Sequence, residues 1–384
     1  VALKYYVAYI SKLADMKKTM IACLALICYV VSYSQLTAPP FGGNKKAMIG
    51  ERIGITDVTI HYDRPAVKGR EGKIWGDLIQ KGFTDQGFGT SKAAPWRAGA
   101  NENTTIEFST PVNIEGQALP AGKYGFFIAY EPEECTVIFS KNASSWGSFY
   151  YEPKEDALRV KVKPKPLDKS VEWLTYAFTD ETNTGATVAL TWEKLMIPFK
   201  VETDYNNLQL ESFRRELRSE KAFNPGWQSF SQAAQFCLDN NVNLEEGMKW
   251  SEDAISLPSI GEKNFTTLST KVSYLKKFNK DAEADALMKE ALALGTVNQI
   301  HGYARQLLQQ KKQKEAFDVF KTNYDKYPND FTTQVGMARG YAAIGDYKKA
   351  LGFAQKALPK SPDNGNKLSV ERMIRTLQEG KDIN

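Results

Sequence analysis

The residues best equipped for chemistry lie between Asp63 and Glu102. Asp63-Arg64 close a run of alternating polarity, and Arg70 follows Gly69. Arg97, Asn101 and Glu102 flank a Gly99-Ala100 pivot just ahead of Thr104-Thr105-Ile106. A guanidinium grips a carboxylate or phosphate through two parallel N–H bonds, so three arginines in a loop-rich region point to anion recognition. Asp63 and Glu102 are also available partners for those arginines, and Asn101 offers both a donor and an acceptor. Trp75 and Trp96, with Trp146, supply the flat apolar wall that a sugar or peptide site needs. Two readings follow. In one, these arginines pair with Glu102, Asp63 and loop carbonyls, Arg97 with Glu102 among them, and lock a long loop over the sandwich. In the other, Asp63, Arg64, Arg70, Trp75, Trp96, Arg97, Asn101 and Glu102 line a binding site for an anionic or sugar-like ligand. An enzyme working through Glu102 or Asp63 at the same Arg/Asn/Glu cluster is the alternative function.

Other chemistries lack their parts. The two histidines, His61 and His301, are far apart, and no Cys pair or His-x-x-x-His spacing exists, so no metal site is expected. No Gly-x-Ser-x-Gly elbow accompanies either histidine. The glycines of Gly82–Gly89 do not follow a strand as a phosphate loop requires. No cofactor is expected. Beyond residue 34, only Cys135 and Cys237 remain, and their spacing reads as two separate buried thiols rather than a disulfide framework.

The elements that must position the cluster show two periods. From Glu51 to about Val201 apolar residues recur at every second position: Val58, Ile60 and Tyr62; Ile106 and Phe108; Tyr124, Phe126 and Ile128; Val137 and Phe139; Val160 and Val162; Val188, Leu190 and Trp192. Turn signals such as Pro120-Ala121-Gly122 and Pro164-Lys165-Pro166 separate them. Seven or more short strands predict an antiparallel β-sandwich over residues 36–201, with 36–50 as an extended lead-in and Lys68–Trp96 on loops. From Asp204, placed to cap a helix, the period becomes helical through Leu210, Phe213 and Leu217. A repeat follows. Small residues recur at Gly247, Ala284, Ala316 and Ala350. Residues seven further on are Ala254, Ala291, Asn323 and Ala357, and large ones precede at Leu238, Leu275, Leu307 and Tyr341. All three series step by 37, 32 and 34. The region 204–384 is therefore expected to be all-α, with Ser369–Glu379 as a final capping helix.

Two resemblances attach to these residues. Tyr62–Arg70, Trp75-Gly76-Asp77-Leu78, Pro95–Glu102, Ala121–Gly125 and Trp146-Gly147 resemble an exported bacterial family catalogued as domain of unknown function 2911, over residues 36–200. The stretch Gln80–Pro95 looks longer than that family's usual link. The helical period resembles tetratricopeptide repeats, which stack helix pairs of about 34 residues. Tyr341, Gly345, Tyr347, Ala350, Ala354, Ala357 and Pro362 carry that likeness most fully. Such stacks imply a concave groove for a protein or peptide partner.

The N-terminus reads as a leader. Met16-Lys17-Lys18 is basic, Ile21–Val31 is apolar, and Ser32-Tyr33-Ser34 precedes a cut near Ser34/Gln35, so a periplasmic or secreted protein is expected. The apolar run is too short for a transmembrane span, which takes about 20 residues. Residues 1–15 precede the natural-looking start at Met16 and are set aside. Without residues 1–34 the chain carries 46 basic and 44 acidic side chains, near +2, which gives no basis for a nucleic-acid partner. The sequence thus predicts an exported binding or scaffolding protein of the cell envelope, built from a β-sandwich followed by helical repeats.

Overall fold

The computed structural model describes residues 43–384; the expected leader over Met16–Ser34, with its cut, lies outside the described residues. Two compact units divide between Thr203 and Asp204.

The first unit holds, among the described residues, ten strands: β1 (Lys45–Ile53), β2 (Thr56–Arg64), β3 (Thr105–Phe108), β4 (Val112–Ile114), β5 (Gln117–Leu119), β6 (Gly122–Ala129), β7 (Cys135–Ser140), β8 (Asp156–Val162), β9 (Lys165–Thr182) and β10 (Gly185–Glu202). They form a six-stranded sheet, β1-β2-β3-β6-β7-β8, and a four-stranded sheet, β5-β4-β10-β9. Every pair is antiparallel. The alternating residues Val58, Ile60, Phe126 and Val137 of one sheet share a core with Tyr176, Leu190 and Phe199 of the other. Rings interlock across the layers: Phe126 lies 5.4 Å from Phe199, and Tyr62 lies 4.7 Å from Tyr176. Two sheets that bury one face each against a common core make a β-sandwich.

Three expectations need correction. The lead-in is already strand from Lys45, because β1 pairs with β2 over its whole length, Lys46 opposite Asp63 and Ile49 opposite Ile60. As the sheet's outer strand, β1 is mostly exposed, so it lacks a buried apolar alternation. The strands are not all short. β10 does not end at Trp192 but runs to Glu202 through a bulge, where Glu193 takes a left-handed φ of 51°. The register with β9 shifts on both sides of Glu193, and the buried face changes there, passing from Val188, Leu190 and Trp192 to Ile197, Phe199 and Val201. Pro166, expected in a turn, sits at the start of β9. That strand is at the sheet's edge, where a missing N–H does little harm.

The second unit contains, among the described residues, ten α-helices: α1 (Tyr205–Glu216), α2 (Trp227–Asn240), α3 (Leu244–Ser256), α4 (Phe265–Lys277), α5 (Asp281–Leu294), α6 (Val297–Gln309), α7 (Gln313–Lys326), α8 (Phe331–Ala343), α9 (Tyr347–Ala357) and α10 (Asn364–Gln378). Asp204 caps α1 by accepting from the Asn207 amide. α2–α9 form four hairpins. Gly247, Ala284, Ala316 and Ala350 are each the fourth residue of the second helix, and all are buried. A Cβ on Gly247 would strike the Tyr274 hydroxyl and approach Cys237 Cβ to 2.7 Å, which is why that crossing takes a glycine. Residues in the left-handed region, Asn241, Asn279, Lys311 and Gly345, turn each hairpin. Asn323, where the other copies have Ala, donates to the Val297 carbonyl at 2.9 Å. The last helix starts earlier than expected, at Asn364, because Asp363 caps it.

Cys135 and Cys237 are free and buried. Burial pushes both thiols up, Cys237 to about 11, away from the thiolate form that nucleophilic chemistry uses.

Candidate functional site

The segment between β2 and β3 builds a cleft of about 530 Å³ on the sandwich unit. Short backbone bridges hold this segment in place. Gly82 donates to Tyr130, Thr84 and Ala94 exchange bonds, and Trp96 exchanges bonds with Ile128 of β6 at 2.9 and 2.8 Å. The next turn is tied down harder. The Ala98 carbonyl accepts from the Tyr176 hydroxyl at 2.7 Å and from Thr104 Oγ1 at 3.3 Å, and the Ala100 amide donates to the Asp63 carbonyl. Ala98 and Asn101 are both left-handed, at φ 50° and 54°. Non-glycine residues hold that conformation only where their surroundings enforce it. No Cβ is tolerated at Gly99, which would meet Thr104 Oγ1 and, at 3.2 Å, the Asp63 carbonyl.

Of the eight residues expected at a site, four line the cleft: Arg70, Trp96, Arg97 and Asn101. Trp96 lies nearly parallel to Trp192 of β10, ring centres 6.2 Å apart; Trp192 is buried behind it, so the accessible indole of the lining is that of Trp96. Trp75 packs edge-on beneath both, at 5.6 and 6.1 Å, so its role is to support the wall rather than to form it. Arg70 is spent on its own turn, donating to the Val67 and Ala66 carbonyls. Arg97 is different. It is half-buried, its Nη1 donates to the Asn101 carbonyl at 2.5 Å, and its guanidinium lies over the Phe149 ring at 5.0 Å. Among the described residues no carboxylate pairs with it, and burial lowers its pKa. Gly147, with φ 60°, makes room for it, since a Cβ there would strike the guanidinium.

Besides Trp75, the other three go elsewhere. The expected Arg97–Glu102 pair does not form. Glu102 is exposed and binds Lys46 of β1 at 2.6 Å, because the left-handed Ala98 and Asn101 turn the chain between the two. Asp63 is buried behind the turn. Its Oδ2 has no hydrogen-bond partner, and burial pushes its carboxyl above the ordinary 3.8, against the pull of Asn101 and Lys46. Arg64 faces β9, donating to the Leu174 carbonyl and Thr175 Oγ1, both at 2.7 Å. The three arginines therefore do not form one cationic patch. Trp146 is 49% exposed and lies outside the cleft.

Sequence reasoning missed Trp192, Asn44, Thr84, Gln86 and Ser148 on the lining, and Glu193, whose buried carboxylate accepts from the Gly72 and Lys194 amides. Trp192 was legible only as a core residue of a strand. Its place beneath Trp96 depends on strand order. Among the described residues no group of His, Cys, Asp and Glu is arranged to hold a metal, and no helix is long and apolar enough to cross a membrane.

No curated protein matches the chain. Among solved structures, a Podosopora anserina putative kinesin light chain with nearly identical TPR-like repeats is similar at 14% identity, covering 40% of this chain and 85% of that one, with a TM-score of 0.29. Residues 44–201, nearly the whole of the described sandwich unit, match the family model described as "Protein of unknown function (DUF2911)".

Proposed function

We propose that the protein is an exported binding protein of the cell envelope. Its sandwich cleft takes an anionic, sugar-like ligand, and its helical repeats hold a protein or peptide partner. One observation carries the reading of the cleft. Arg97 is a partly desolvated cation with no carboxylate partner among the described residues, beside a cavity of ligand size with an indole wall. A cation removed from water without a counter-charge is a standing penalty that a bound anion relieves. Tryptophan faces suit the apolar face of a sugar ring. Binding is favoured over acid–base catalysis because the carboxylates expected to do that work, Asp63 and Glu102, lie outside the lining.

Calorimetry of the full chain with glucuronate, glucose and sulfate tests this. Glucuronate is expected to bind, glucose to bind far more weakly, and Arg97→Gln to lose roughly 1.5–3 kcal/mol, more than tenfold, as removal of a charged hydrogen bond implies. Equal binding of glucose and glucuronate, or an unchanged affinity in a folded Arg97→Gln, refutes the anion reading. Export rests on the sequence of Met16–Ser34. Mass spectrometry of periplasmic and secreted fractions should find a chain beginning near Gln35, and full-length protein confined to the cytosol would refute it.

A further inference from the structure

A second cleft, of about 230 Å³, lies within the helical unit between α6, α8 and α10, the first helices of two successive hairpins and the capping helix. His301 and Arg305 sit one turn apart on α6, and Arg339 enters from α8. No Asp or Glu is among the residues that line it. Arg339 Nε is buried without a hydrogen-bond partner, and Nη1 donates to the Ile383 carbonyl at 3.3 Å. Burial and the neighbouring Arg305 charge lower its pKa. Two acids act on the cleft only through their charge, Asp382 on Arg339 and Asp330 on His301, and their hydrogen bonds go elsewhere: Asp330 caps α8 through the Thr332 and Thr333 amides, and Asp382 accepts from Asn384. His301 is held neutral, at about 4, by burial and by Arg339 and Arg305.

We infer that this cleft seats one side-chain carboxylate of an acidic peptide segment on a protein partner, with Arg305 and Arg339 holding the anion. The inference rests on the proposed partner-binding role of the repeats and names the partner's chemistry. Size limits the occupant. The cavity is smaller than the roughly 300–1,000 Å³ of sites for whole small ligands, but ample for one head group. Its apolar lining, Val335, Val370 and Met373, would cover the methylene stem of a Glu or Asp. A free inorganic anion would leave that surface uncovered. Two guanidinium groups close together repel one another unless an anion sits between them, so the pair of Arg305 and Arg339 suits one.

The test uses ring-proton spectra of the two histidines in the full chain. His301 reports on the cleft, and His61, exposed on β2, is the internal control. The probes are an acetylated, amidated Gly-Ser-Glu-Glu-Ser-Gly peptide, its Gln-Gln counterpart and inorganic phosphate. The acidic peptide is expected to move the His301 resonance saturably, raise its titration midpoint and leave His61 in place. Arg305→Gln, which changes an exposed side chain and should fold, is expected to weaken this at least tenfold. An equal response to the Gln-Gln peptide overturns the acidic assignment and leaves partner binding by the repeats standing. Phosphate that displaces the acidic peptide and reproduces its endpoint gives the site to a free anion and overturns the inference. So does the absence of any His301 response to the acidic peptide, or an unaltered response in Arg305→Gln.

Discussion

Arg97 lies on the segment after β2 and Asp63 at the end of β2 itself, and burial acts on them in opposite directions. Arg97 keeps its place because Gly147 yields the space and Phe149 offers a ring face. Gly147→Ala should therefore destabilise by about 1–3 kcal/mol, through collision with the guanidinium added to the strain of a left-handed alanine. In an Arg97→Ala background the collision is gone and only the backbone share, about 1 kcal/mol, should remain. Urea unfolding of the parent and the three variants measures it, and additive losses would contradict the collision. Asp63 binds its proton more tightly in the folded chain than in the unfolded one, since its pKa is raised above 3.8. Its charge therefore opposes folding at neutral pH. That opposition is relieved as the pH falls through the folded value and is gone below 3.8. Asp63→Asn should be as stable as the parent or more so at pH 7, and this advantage should shrink toward pH 4. A large loss at pH 7 would show that the bonds from Asn101 and the Glu102 amide outweigh burial.

Helix hairpins place opposite demands on two small features of the repeat. At the crossing of α3 with its neighbours, Gly247→Ala would drive a methyl into the Tyr274 hydroxyl, which itself donates to the Ala234 carbonyl at 2.6 Å. A loss of about 1–3 kcal/mol is expected, as for other overpacked cores. At the turn between α6 and α7, exposed Lys311 holds φ 59°, where the last hairpin uses Gly345. Lys311→Gly should gain about 0.5–1 kcal/mol by removing the Cβ clash of the left-handed region. Thermal melts of the two variants should shift in opposite directions. Two shifts of the same sign would mean that these helices do not meet and turn where the buried series puts them.

At the level of the molecule, the two units have separate cores, the first drawn entirely from β1–β10 and the loops between them. Fragments 43–203 and 204–384 are each expected to fold alone. The first should show the circular dichroism of a β protein and the second that of a helical one. Heat should unfold each cooperatively. A fragment that remains unfolded would show that its core needs the other half. The division also allots the two proposed sites: the Arg97 cleft should bind in the first fragment, and the Arg339 cleft in the second.

The sequence by itself determined the kinds of element and most of their faces. Period-two burial and the constant offsets of Gly247, Ala284, Ala316 and Ala350 are local properties, set by the pleat of a strand and the pitch of a helix. It failed locally where the register shift changed the buried parity, at Glu193, and where a strand lay at the sheet edge, at β1. The residue types at the cleft were also legible, since Arg70, Trp96, Arg97 and Asn101 all line it. Which charge meets which was not. Lys46 reaches Glu102 across 56 positions, and Arg64 reaches Leu174 across 110, distances spanned only by strand order and register. A charged side chain can pair with any opposite charge within a few ångströms, so sequence spacing restricts it weakly. Only the folded sheets removed Glu102 from Arg97, buried Asp63 behind the turn, and left Arg97 facing the cleft with no carboxylate partner among the described residues.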